Sequence, residues 1–201
     1  MVAGITGKYC AGKDAASRIL EGLGFVEIDE DGVGHRALDE KKDAIVAAFG
    51  LSVKAPDGNI DRSKLGSIVF SGTKDLRMLE GIVHPWMVSE TAQHIKSLSD
   101  QNVVINAAVL FRMGLHTLCD IVLIVKAPLI TRILRGLRRD SRGVLHVISR
   151  MKFQPSADIH GHSLKKSGIP VDIYTVRNGR GKKRLAGRVS RILDLYGISG
   201  R

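Results

Sequence analysis

Gly7-Lys8-Tyr9-Cys10-Ala11-Gly12-Lys13-Asp14 carries the chemistry that is easiest to read in this chain. Two glycines with four residues between them let backbone wrap an anion, and a lysine after the second supplies a cation. Apolar Val2–Thr6 precedes the segment, while Ala16, Ile19, Leu20 and Leu23 follow at helical spacing. Strand, loop and helix start are the context that a phosphate loop needs, because free N–H groups and the helix dipole then converge on one anion. Asp14 stands where a serine or threonine hydroxyl ordinarily ligates Mg²⁺. Its carboxylate either takes that ligand role or complements the helix dipole. Asp29-Glu30-Asp31 closes a second apolar run, where one carboxylate could orient an acceptor hydroxyl or form a solvated acidic turn. His160 and His162 lack partners at metal-ligand spacing, which leaves them as solvated side chains.

These residues must be positioned by an alternating α/β framework. Phe25–Asp29, Val103–Ile105, Ile121–Val125 and Val171–Val176 read as further strands, and the β-branched runs among them suit a parallel sheet covered on both faces. Between residues 33 and 98 strand signals give way to helical ones: Ala44–Phe49, Arg62–Phe70, and Lys74–Ser97 interrupted by Pro85. Asp57-Gly58-Asn59 marks a turn among them. Leu129–Leu137 starts another helix, residues 138–168 are polar with poor periodicity, and Leu185, Val189, Ile192, Leu193 and Tyr196 form the stripe of a closing helix. The expectation is an α/β phosphate-loop kinase with a parallel five-stranded sheet flanked by helices. Its core comprises 1–31, 99–135 and 169–201, with a helical substrate insertion at 32–98 and a lid at 136–168.

A chain of 201 residues supports one such core. No apolar run reaches the roughly 20 residues that span a bilayer, so a cytoplasmic location is expected. Two cysteines, Cys10 and Cys119, suit reduced thiols. Residues 1–125 hold more acidic than basic side chains, so the net charge of +11 is concentrated after residue 125. That field serves either nucleic acid or a polyphosphate. Aromatic residues are only 4% of the chain and do not interleave with the basic ones, which argues against a base-stacking surface.

The chain resembles the dephospho-coenzyme A kinase family. The resemblance rests on the phosphate loop, Ile28-Asp29-Glu30-Asp31 against an Asp-Ala-Asp strand end, Ile60-Asp61-Arg62 against Leu-Asp-Arg, His84-Pro85, Ala108–Arg112, and Arg135 with Arg139-Asp140. It implies that ATP lies on Cys10, Ala11, Gly12, Lys13, Asp14 and Ala15, with Mg²⁺ at Asp14. It further implies that Asp31 faces the ribose 3′-hydroxyl of dephospho-CoA, that His84 and the helical insertion hold this acceptor, and that Arg135 and Arg139 come over the phosphates. Lys13, Asp31 and Arg139 would be catalytic. ATP and dephospho-CoA are the partners implied, with no nucleic acid or membrane and a monomer as default. Four positions depart from the family pattern: Asn106 for Asp, Ala108 for Pro, Arg112 for Glu, and Val88 for the Arg after His-Pro. The adenine loop Asn-x-Gly is matched loosely by Asn178-Gly179-Arg180-Gly181. A related nucleotide or small-metabolite kinase, or a weakly catalytic nucleotide-binding protein using its basic half on RNA, are the alternatives.

Overall fold

The structure, a computed structural model, describes residues 1–139, 171–179 and 181–198. Five parallel strands, β1 (Val2–Gly7), β2 (Phe25–Asp29), β3 (Asn102–Asn106), β4 (Ile121–Lys126) and β5 (Asp172–Arg177), form one sheet of order β2-β3-β1-β4-β5. The register aligns Ile5 of β1 with Asn106 of β3, and Asn106 with Asp29 of β2. Three carboxyl ends therefore reach the same edge of the sheet. All of Ile121–Val125 is buried, as a strand covered on both faces requires, whereas β5 at the sheet margin is buried only at Val176.

The described α-helices are α1 (Lys13–Glu21), α2 (Glu30–Glu40), α3 (Lys42–Phe49), α4 (Arg62–Val69), α5 (Thr73–Ser97), α6 (Leu110–Met113), α7 (Leu129–Arg139) and α8 (Lys182–Asp194). Ala16 and Leu20 of α1 pack with Ile5, Val104, Leu123, Leu185, Val189 and Leu193 in one apolar core. Side chains as fully buried as Leu20 and Leu123 each contribute about 1.5–3 kcal/mol through removal from water. The core thereby fixes α1 and α8 to the sheet.

The chain divides into two compact units, Met1–Asp29 with Ile95–Arg201, and Glu30–His94. The first holds the sheet. The second is helical apart from an isolated antiparallel bridge between Lys54 and Ile60. Within it, Asp61 caps α4 by accepting from the Ser63 and Lys64 amides, and Gly58 takes φ +86° in the turn after Asp57. Glu30 and Thr91 are both buried, with the Thr91 hydroxyl 2.8 Å from Glu30 Oε1. Two sequence expectations shift. Pro85 does not interrupt its helix, since α5 runs through it from Thr73 to Ser97; a proline removes one N–H donor, and the remaining helical turns suffice. Asp31 lies in the first turn of α2 rather than at a strand end, because the helix begins directly after Asp29.

Candidate active site

The loop after β1 is shaped by contacts that exclude side chains. A Cβ on Gly7 would run into the Val125 carbonyl oxygen of β4, and one on Gly12 would run into the Asn178 amide nitrogen. Gly12 also adopts φ +102°, and Cys10 takes the left-handed region at φ +58°. For a residue bearing a Cβ, that conformation costs roughly 1 kcal/mol. The Ala11 amide donates to Lys8 O at 2.9 Å, closing a tight turn, and the first helical bond of α1 runs from Ala16 N to Gly12 O. No side chain caps the amino end of α1. The N–H groups of Lys13, Asp14 and Ala15 therefore have no acceptor within the helix, and this is what makes a helix start attract an anion.

Three side chains hold the loop from behind. Arg132 Nε donates to Tyr9 O at 2.8 Å. Arg135 Nη1 donates to Ala11 O at 3.1 Å and more distantly to Cys10 O at 3.5 Å, while its Nη2 lies 3.3 Å from both Asn178 O and Asn178 Oδ1. Asn178 Nδ2 donates to the same Ala11 O at 2.9 Å. Arg132 and Asn178 are buried, and burial lowers the pKa of the Arg132 guanidinium from its ordinary value.

The first unit carries further polar groups at this end of its sheet. Arg139 Nη1 stands 3.6 Å from Asp14 Oδ2, a pair whose side chains are 70% and 55% exposed and which water therefore weakens to at most about 1 kcal/mol. The partnership is readily exchanged. Asn106, buried at the end of β3, donates from Nδ2 to Glu27 Oε1 at 2.9 Å, and its Oδ1 is buried without a hydrogen-bond partner. In the helical unit, Asp31 is exposed in the first turn of α2 and His84 is half-buried on α5.

Beyond the loop, the carboxyl ends of β4 and β5 frame a cleft of about 510 Å³ lined by Lys126, Ala127, Pro128, Arg177, Gly179 and Arg188. A second space of about 350 Å³ shares Lys126 and Ala127 and reaches Lys8 and Arg132. The size and the cationic lining suit a nucleoside with its phosphates.

The first compact unit thus brings together Cys10, Ala11, Gly12, Lys13, Asp14, Ala15, Arg135 and Arg139. Asp31 and His84 belong to the other unit. Of the lid expected at 136–168, residues 136–139 are the end of α7, while the rest, with Asp140, His160 and His162, and also Arg180, lies outside the described residues. Sequence reasoning missed Arg132 and Glu27, and it placed Asn178 only in a loose adenine loop. A signal for Arg132 exists: Arg132, Arg135 and Arg139 recur at i, i+3 and i+7, one face of a helix.

A central β1 flanked by β3 and β4, with the phosphate loop at its carboxyl end and an uncapped helix behind it, defines a phosphate-loop α/β fold of the nucleotide-kinase type. Solved structures agree. TT1252 from Thermus thermophilus superposes with a TM-score of 0.78 at 24% identity, covering 100% of this chain and 98% of that one. The dephospho-CoA kinase of Campylobacter jejuni gives 0.60 at 18% identity, covering 98% and 97%. Deoxyadenosine kinase from M. mycoides with bound dATP gives 0.58 at 14% identity, covering 96% and 100%. At these identities the likeness establishes the fold.

Family membership comes from the sequence comparisons. The family described as CoaE, dephospho-CoA kinase, matches residues 1–161. Dephospho-CoA kinase of Borreliella burgdorferi is 38% identical across 63% of this chain and 62% of its own length. That of Moorella thermoacetica is 34% identical across 76% of each, and that of Anaeromyxobacter dehalogenans 30% identical across 100% of this chain and 94% of its own. The chain belongs to the dephospho-CoA kinase family. The match spans less than two thirds of the length of the Borreliella relative.

Proposed function

We propose that this chain transfers the terminal phosphoryl group of ATP to the ribose 3′-hydroxyl of dephospho-CoA, giving coenzyme A. The observation that carries this reading is the uncapped amino end of α1 behind a glycine-bounded loop, in a chain of this family. Charge on the transferring group is met by Lys13 and by the amides of Cys10 and of Gly12 to Ala15, which cost no reorganisation because the fold already fixes them. Arg139 is free to leave its exposed pairing with Asp14 for the phosphates. Asp31 orients the acceptor hydroxyl and takes up its proton, while His84 and the helical unit hold the rest of the acceptor. The cleft beside Lys126 and Arg177 receives the nucleoside of ATP.

The residues fit a magnesium ion. Mg²⁺ keeps several waters and uses one or two protein oxygens plus substrate phosphates, so a full protein cage is unnecessary, and none of three or more His, Cys, Asp or Glu occurs among the described residues. Asp14 offers an exposed carboxylate and Asn106 an unpartnered buried oxygen; Glu27, bonded to Asn106, restores the charge that the asparagine lacks. When bound, the ion would neutralise the β and γ phosphates.

Among the described residues no helix is long and apolar enough to cross a membrane, and a site for ATP suits the cytoplasm. A monomer is the simplest functional state. Val88, Asn106 and Arg112 favour, as a second reading, a kinase of a related acceptor. The experiment is coupled ADP formation by the purified chain with and without dephospho-CoA, and with a panel of nucleoside acceptors. ADP release should require dephospho-CoA and yield CoA one for one. Asp31→Asn should lower kcat by about 10²–10⁴-fold while ATP binding persists. Turnover indifferent to dephospho-CoA in a folded enzyme refutes the assignment, and selective response to another acceptor establishes the second reading.

A further inference from the structure

We propose that Arg132, Arg135 and Asn178 are positioning residues that act on the nucleotide through the loop backbone, as a clamp on its carbonyl side. This inference rests on the reading of the loop as a nucleotide site. The described peptide bonds are all trans, so each carbonyl points opposite to the N–H of the next residue. Arg132 fixes Tyr9 O, and Arg135 with Asn178 fixes Ala11 O. The amides of Cys10 and Gly12 are thereby turned to the opposite side, toward the anion. Ala11, between them, spends its own amide on Lys8 O.

The clamp also explains how Cys10 is held left-handed at φ +58° without being glycine: tethered peptides on either side leave it no alternative. It gives Arg135 a different task from direct phosphate contact. Both of its terminal nitrogens are engaged, one on loop carbonyls and the other on Asn178. That fork-shaped pattern suits a planar guanidinium, and a lysine ammonium of the same charge cannot reproduce it.

The two tasks differ in what they discriminate. A side chain that touches the terminal phosphate favours ATP over ADP. A clamp that shapes the shared cradle affects both nucleotides equally. The test is calorimetric binding of ATP and of ADP, without acceptor, to the wild-type chain, Arg135→Lys, Asn178→Ser and the double variant. Removing one charge-assisted or buried bond should weaken both nucleotides by the same factor, about 10- to 100-fold. The double variant should lose less than the product of the single effects, because both side chains serve Ala11 O. Arg135→Lys that binds like wild type, or that loses ATP while retaining ADP, overturns the clamp in favour of a direct charge contact. Fully multiplicative losses overturn it as well. Arg135→Lys keeps the charge and Asn178→Ser removes one small group, so thermal unfolding of each variant separates a loop effect from a folding defect. A wild-type chain that binds neither nucleotide overturns the nucleotide-site reading itself.

Discussion

Replacing Gly12 by alanine puts a single methyl group at the most crowded point of the loop. The new Cβ has to displace the Asn178 amide nitrogen, and the backbone stays at φ +102° and ψ 39°. An L-residue in that region costs about 1–2 kcal/mol. Moving Asn178 off Ala11 O forfeits a buried hydrogen bond worth about 0.5–1.5 kcal/mol. The total, about 1.5–3.5 kcal/mol, has only two places to appear. If the loop keeps its shape the cost is lost stability, and if the loop relaxes the cost is lost affinity for nucleotide. Thermal unfolding and ATP calorimetry on one sample measure both. At about 2–4 °C per kcal/mol for a chain of this size, the limits are a fall in Tm of about 3–14 °C or an affinity loss of about 10- to 400-fold. Gly187→Ala is the control: it sits within α8 with nothing inside 4 Å of its Cβ position and should stabilise by about 0.4–1 kcal/mol. A Gly12→Ala protein melting within 2 °C of wild type, by order of the same estimate, and binding ATP as wild type does would refute the crowding argument.

Two further outcomes follow from the hydrogen-bond geometry. Tyr196→Phe removes a hydroxyl that donates to Asp172 Oδ2 at 2.5 Å and lies 3.0 Å from the Tyr174 hydroxyl, and chemical denaturation at pH 7 should show a loss of about 1 kcal/mol. Burial first, then the bond to Asp172, raises the Tyr196 pKa above its ordinary value, so its stabilisation is complete below about pH 10 and is lost as the pH rises further. The gap between wild type and variant should therefore shrink above pH 10. Thr91→Val removes the hydroxyl beside buried Glu30 and should cost about 1–3 kcal/mol by urea unfolding, with Thr91→Ser recovering most of it.

How much of this was legible before folding depends on sequence distance. The loop, its preceding strand and its helix are contiguous, so Gly7 to Ala16 can be read from local rules alone. The strands were legible because β-branched runs such as Ile121–Val125 are unmistakable when both faces are covered. Arg132 on Tyr9 and Asn178 on Ala11 were not, because they join residues 123 and 167 positions apart, and no local pattern records a long-range pairing. Glu27 was overlooked for a different reason. In a strand it reads as an edge charge, and only its register with β3 shows that it serves Asn106. Asp31 was read as part of the end of β2, and its helical setting required knowing that α2 starts without a connecting loop.

The Asn178 contact also has a consequence for the order in which this protein comes into being. Ala11 precedes Asn178 by 167 positions, so the side chain that completes the loop is made long after the loop itself. A nascent chain therefore carries its signature motif long before that motif acquires its working shape. Ala11 O gains its Asn178 partner only once β5 has been made, so a chain stopped before β5 holds the loop sequence without that contact.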